Sequence, residues 1–280
     1  MLRLRIITIS ILLPLFIWLL IFSSSTIFLW VTTIIISLAT IEWLKLLKIN
    51  NLIKFVFLLI YFFIMYDIIK NNNWIFHSTS NIYFIIKIAA VFWVMAFLKI
   101  LLFSLQRKNT NTNTNTIFFL ISAVFAFIPS WLAINYLKIH NKHLLVLGCS
   151  IVMAADIGAY IVGKLFGRHK LTTISPGKTW EGVFGGYIGS LLVCAIYMVI
   201  CNINLKLPNI LSFLLLTSVT FIFSVVGDLF ESLLKRVANV KDSGTILPGH
   251  GGILDRIDSF CSGIPMFLLI FLILDKYILL

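Results

Sequence analysis

A chain of 280 residues that is 60% hydrophobic, only 11% charged and +1.06 in mean hydropathy is not a soluble globular protein. Apolar runs long enough to cross a bilayer recur from end to end, and they are continuous rather than alternating, which argues against a β-barrel. The net charge of +12 would suggest a nucleic-acid partner in a soluble protein; here basic loops beside anionic lipid account for it, and no nucleic acid is expected.

The expected fold class is therefore all-α: a polytopic integral membrane helical bundle of about nine transmembrane helices. In chain order the candidate spans are 6–22, 26–44, 52–69, 82–104, 116–137, 143–163, 183–201, 209–227 and 262–280. The first follows Arg3 and Arg5 and resembles a signal peptide. No small-residue cleavage site stands out, and Ser23–Ser25 form a short turn into the next run, so it reads as a retained span. With the N-terminus cytoplasmic, 14 of the 22 Lys and Arg fall on the cytoplasmic side, 5 on the other and 3 within spans. The positive-inside rule favours that orientation, in the inner or plasma membrane. The Asn109–Thr116 repeat of Asn and Thr is a low-complexity loop with no function assigned to it.

Cys149, Cys194, Cys201 and Cys261 lack paired metal-ligand spacing and read as packing residues. The acidic residues are uneven: seven of ten lie between Asp156 and Asp258. Residues 1–140 thus read as scaffold spans. Residues 141–280 read as the catalytic region, with cytoplasmic polar loops at 164–182 and 228–261.

The second of these loops carries the densest charge. Continued helix through Asp228, Glu231 and Lys235 would put all three on one face. A helix starting near Ile253 would set Asp255 and Asp258 on one side, near its start. Two carboxylates about 5 Å apart repel by roughly 3 kcal/mol at an effective dielectric of 20, a cost that a divalent cation removes. Oxygen ligands without clustered His or Cys favour Mg²⁺ or Mn²⁺. Lys235, Arg236, Lys241 and Arg256 suit phosphate, and Gly249, Gly251 and Gly252 let backbone N–H groups approach an anion. His250 sits in the same turn, as a phosphate donor or a turn residue. Upstream, Pro176-Gly177 marks a turn, and Lys178, Thr179 and Glu181 stand near a helix start that suits phosphate, without Walker A spacing. Asp156 lies inside a span, either as a functional carboxylate or as a partner for a lysine such as Lys178.

Together these segments resemble the phosphatidate cytidylyltransferases. Residues 232–258 carry the pattern of S, KR, KD, PGHGG and DRxD, preceded by GDLFES at 227–232, SPGKTWEG at 175–182 and DIGAYxxGxxFG at 156–167. The resemblance covers the second half at motif level and the first half only as a run of spans. It implies a membrane enzyme that joins CTP and phosphatidate into CDP-diacylglycerol and pyrophosphate, and that works as a homodimer. It also implies a required divalent metal at Asp228 and Asp258 with Asp255 close by, and leaves room for a monovalent cation. The implied catalytic set is Asp228, Asp258, Asp255, Lys235 and Arg236. The implied substrate-binding set is Ser175, Lys178, Thr179, Glu181, Lys241, Asp242, His250, Gly251, Gly252 and Arg256. The closest alternative is a CTP-dependent kinase of a polyprenol-type lipid. A CDP-alcohol phosphotransferase would need a DGxxAR signature that is absent, and a transporter would need paired interrupted spans and several midplane charges.

The orientation has a direct check. A cysteine introduced near residue 245 should react with an impermeant reagent only from the cytoplasmic face, and labelling of sealed right-side-out vesicles would reverse the topology.

Overall fold

The structure is a computed structural model and describes residues 2–71, 78–105, 116–247 and 251–274. These form nine helices: α1 Leu2–Ile21, α2 Ser25–Leu46, α3 Asn51–Lys70, α4 Thr79–Leu105, α5 Thr116–His140, α6 Lys142–Phe166, α7 Trp180–Ile200, α8 Leu207–Ala238 and α9 Leu254–Leu274. Each matches one expected span. Among the described residues there is no strand, only isolated bridges at Lys170–Thr179 and Leu247–Gly251. Eight helices are long and apolar enough to cross a membrane, and α1 contributes a shorter apolar stretch, Ser10–Ile21.

Local sequence sets the breaks. The Ser24 hydroxyl accepts from Ile27 N–H and starts α2 at the expected serine turn. Asn141 does the same for α6, accepting from His143 and Leu144.

The polar loops are shorter than the sequence suggests. The reading of 228–261 as a loop is corrected: α8 runs eleven residues past Gly227 to Ala238, and α9 begins at Leu254, ahead of the span limit at 262 and at the helix start expected near Ile253. Charge in this stretch does not stop the helix, because Glu231 and Lys235 pair along its face. What stops it is Asn239, in the left-handed conformation at φ 60°. Val240 N–H bonds Lys235 O and Asn239 N–H bonds Arg236 O, which is a Schellman ending. The loop at 164–182 likewise shrinks to 167–179 between α6 and α7.

The most enclosed helices are α5, α8 and α9; α3 is the least enclosed. Phe230 of α8 is the hub of an aromatic cluster, its ring centroid 5.8–6.1 Å from those of Trp43, Phe92, Trp93, Phe118 and Phe119. Interhelical hydrogen bonds fix register where burial alone would leave helices free to slide. Trp43 Nε1 donates to Phe119 O (2.8 Å) and Trp131 Nε1 to Thr33 Oγ1 (3.0 Å), both between α2 and α5. Lys138 lies buried at the end of α5 and donates to Leu19 and Leu20 carbonyls of α1. Double-mutant measurements put such bonds near 0.6 kcal/mol each in membrane proteins, so they specify more than they stabilise.

Helices α6 and α7 pack through glycine. A Cβ at Gly158 would lie 2.6 Å from Gly185 O, and one at Gly185 would collide with the Val162 side chain. This close approach sets Gly163 of α6 against Thr179 at the start of α7 and Asp156 further along, level with Gly185 and Gly186. Gly158→Leu should therefore lower stability by about 1–3 kcal/mol through overpacking. Gly177→Ala, where a Cβ meets nothing within 4 Å, should leave the thermal midpoint of the purified protein unchanged. Equal midpoints for the two variants would refute the packing argument.

Candidate active site

The site is built around the end of α8 and the start of α9. Continued helix places Asp228, Glu231 and Lys235 on one face as expected. Glu231 is 1% exposed, and neither of its oxygens accepts a hydrogen bond of standard geometry. Its compensation is the ion pair to Lys235 Nζ at 2.5 Å. The same ammonium bonds Asp255 Oδ1 at 2.9 Å, which joins α8 to α9. Lys235 is thus spent inside the protein, not aimed at solvent. Asp255 is equally committed, accepting from Gly252 N–H (2.8 Å) and Ser243 N–H (3.0 Å).

A residue that the sequence reading placed among scaffold spans completes this corner. Glu42 of α2 is 1% exposed and accepts from Leu254 N–H (2.8 Å), Ile253 N–H (3.2 Å) and Ser243 Oγ (3.3 Å). A lone carboxylate in an apolar span was the available signal. Gly251, at φ 84°, accepts from Leu247 N–H at its carbonyl (2.9 Å), and a Cβ there would press on Asp255. Gly249 and His250 lie outside the described residues.

A second group of carboxylates has less protein to satisfy it. Asp228 of α8 pairs with Lys178 and accepts weakly from Ser232 Oγ (3.4 Å). Asp258 of α9 bonds the next amide, Ser259 N–H (2.8 Å), and the Ser259 hydroxyl donates to Asp156 Oδ1 (3.3 Å). Asp258 is within electrostatic reach of Asp228, Glu231, Asp156 and Lys178. The close packing of α8 on α9 causes this: at Gly227 a Cβ would run into Ser262 and the Asp258 carbonyl. Lys178 pairs with Asp228 rather than with Asp156, which it reaches only at longer range, as does Arg256. Asp156 itself is exposed.

Three carboxylates therefore face one directly paired cation. Among the described residues, no three His, Cys, Asp or Glu side chains converge tightly enough to enclose a metal. The residues fit a hard divalent ion held by one or two carboxylates with its other positions open, which is the habit of Mg²⁺.

The 167–179 loop forms the facing wall. Thr179 Oγ1 caps α7 by accepting from Gly182 N–H (3.1 Å). The expected turn forms at Pro176-Gly177, with Lys178 N–H bonded to Ser175 O (3.1 Å). Glu181 is engaged by the loop itself. It accepts from Arg168 N–H (3.1 Å), His169 N–H (3.2 Å) and pairs with His169 Nδ1 (2.6 Å), so it folds the loop. Arg236 Nε donates to Ile174 O (3.0 Å) and braces the loop against α8. Lys241, Asp242 and Arg256 are exposed at the rim.

Fold and site define a polytopic helical membrane protein with a carboxylate-and-lysine centre at one end of its bundle. Residues 3–274 match the cytidylyltransferase family, and the chain belongs to it. Phosphatidate cytidylyltransferase of Haemophilus influenzae is 47% identical over 130 residues, 46% of this chain and 45% of that one. The Staphylococcus haemolyticus enzyme of the same name is 50% identical over 125 residues, 44% and 47% of the two chains. The one from Bacillus subtilis is 38% identical over 175 residues, 61% and 64%. The chain thus matches about half the length of the first two relatives, and under two thirds of the third.

Removing Lys235 leaves the buried Glu231 without its described partner and Asp255 with only its backbone N–H bonds. Lys235→Met is expected to cost about 3–5 kcal/mol in denaturation measurements, and adding Glu231→Gln should recover part of that loss. A Lys235→Met protein of wild-type stability would show that the ion pairs do not carry this corner.

Proposed function

We propose that the protein transfers the cytidylyl group of CTP to phosphatidate, giving CDP-diacylglycerol and pyrophosphate. The observation that carries this reading is the pair Asp228 and Asp258, brought together from two helices opposite Lys178, in a chain of the cytidylyltransferase family. The names of the relatives support the substrate pair.

In this reading a phosphate oxygen of phosphatidate attacks the α-phosphorus of CTP in line. The new P–O bond forms as the bond from the α-phosphorus to the bridging oxygen breaks, and pyrophosphate leaves. The lipid phosphate is already an anion, so no side-chain nucleophile or strong base is needed, and the work is positioning and charge neutralisation. Asp228 and Asp258 would hold Mg²⁺ or Mn²⁺, with Asp156 adding negative charge nearby. Such an ion, when bound, neutralises phosphate oxygens and stabilises the leaving group. Lys178 stands just before the start of α7, where its ammonium and the positive end of the helix dipole suit a phosphate. Lys178, paired with Asp228, stands beside the position where Asp228 would hold the ion, and its ammonium would neutralise substrate phosphate there. Arg256 and Lys241 at the rim supply further phosphate contacts. Lys235 and Arg236 hold the walls rather than touch substrate. The bias of Lys and Arg supports a cytoplasmic face for this end of the bundle, in the inner or plasma membrane. A homodimer belongs to the same proposal, testable by the mass of the detergent-solubilised particle.

The test uses CTP labelled at the α- or γ-phosphate with phosphatidate in proteoliposomes. Label from the α-position should enter the lipid product and γ-label should leave as pyrophosphate; γ-label in lipid would mean a kinase. Asp258→Asn should lower turnover at least 100-fold at limiting Mg²⁺, and near-normal activity would remove the metal assignment.

A further inference from the structure

Helix α9 starts without a side-chain cap of its own. Its N-cap position, Ile253, has no polar side chain to offer. Asp255, in the first turn, reaches back to Gly252 N–H at 2.8 Å. The amides at the helix start are held from a distant helix: Glu42 of α2 accepts from Ile253 N–H (3.2 Å) and Leu254 N–H (2.8 Å), donors for which α9 itself has no acceptor. It also takes the Ser243 hydroxyl at 3.3 Å. The fit demands glycine on both sides: a Cβ at Gly252 or at Gly244 would run into the Glu42 carboxylate. Every hydrogen bond described for Glu42 as acceptor goes to the 243–254 segment, which leads directly into Asp255 and Asp258.

We propose that Glu42 is a positioning residue of the active site, a helix cap supplied in trans that sets where α9 begins and so where Asp255 and Asp258 stand relative to Asp228. This rests on the Asp228–Asp258 reading above. A carboxylate at a helix N-terminus is favourable to the helix dipole, and at 1% exposure it is not replaced by water when lost. Glutamine in its place keeps the shape. Its amide nitrogen would face a second donor, so one of the three bonds is lost and the start of α9 loosens.

The experiment is hydrogen exchange by mass spectrometry on purified wild-type, Glu42→Gln and Glu42→Asp proteins, paired with Mg²⁺ titration of cytidylyl transfer. In Glu42→Gln, amides of the 243–254 segment should exchange at least tenfold faster while α5 keeps wild-type exchange. The Mg²⁺ concentration for half-maximal turnover should rise at least fivefold. Glu42→Asp, which keeps the charge and shortens the reach, should fall between the two in both readouts. Unchanged exchange in 243–254, or an unchanged Mg²⁺ requirement in an active protein, would overturn the proposal. If Glu42→Gln loosens every helix, Glu42→Asp decides by the same criteria. A wild-type protein without cytidylyl transfer would refute the proposed function alone, since the exchange measurement still reads the cap.

Discussion

The ammonium of Lys235, held between Glu231 and Asp255, is the interaction on which the site depends. In an apolar chain a buried charge has few ways to be satisfied, and one lysine here answers two carboxylates from two helices. That bond ties α8 to α9 at one point. The next residue, Arg236, ties α8 to the 167–179 loop, and three residues later the Asn239 cap turns the chain back towards α9. On its other face the same turn of α8 presents Phe230 to aromatic rings from α2, α4 and α5. One helix end therefore fixes the site from above and anchors it to the bundle from below.

The carboxylates divide by how fully the protein satisfies them. Glu42, Asp255 and Glu181 are occupied by backbone N–H groups, and Glu231 by Lys235. They hold structure. Among the described residues, Asp156, Asp228 and Asp258 share two hydroxyls, one lysine and one local amide. Their remaining oxygens are the ones left to meet a ligand. Acidic residues that share a motif in sequence thus separate into frame and centre once their partners are known.

The nine spans were legible because apolar length is a strong signal and breaks such as those at Ser24 and Asn141 carry their own caps. The start of α9 near Ile253 was legible too, but the end of α8 was not, since charged residues read as loop when their pairing along a helix face is unseen. The i, i+3 placement of Asp228 with Glu231, and of Asp255 with Asp258, was legible from helical period alone. The role of Glu181 was hidden, because its partners are the backbone amides of Arg168 and His169 and backbone leaves no mark in sequence. Glu42 was hidden by distance: nothing in its own neighbourhood points to residues 243–254. Lys235 looked like a phosphate ligand because one-dimensional proximity to basic and glycine residues does not reveal that its charge is already spent.

The glycine contact between α6 and α7 has a consequence for how the protein sits in its lipid. Bilayers differ in thickness, and helices respond by tilting. Two helices locked backbone to backbone at Gly158 and Gly185 must tilt as one body. Asp156 and the Lys178 loop then keep their separation in thin and thick membranes alike, so changes in membrane composition are absorbed by loosely enclosed helices such as α3 and not by the centre.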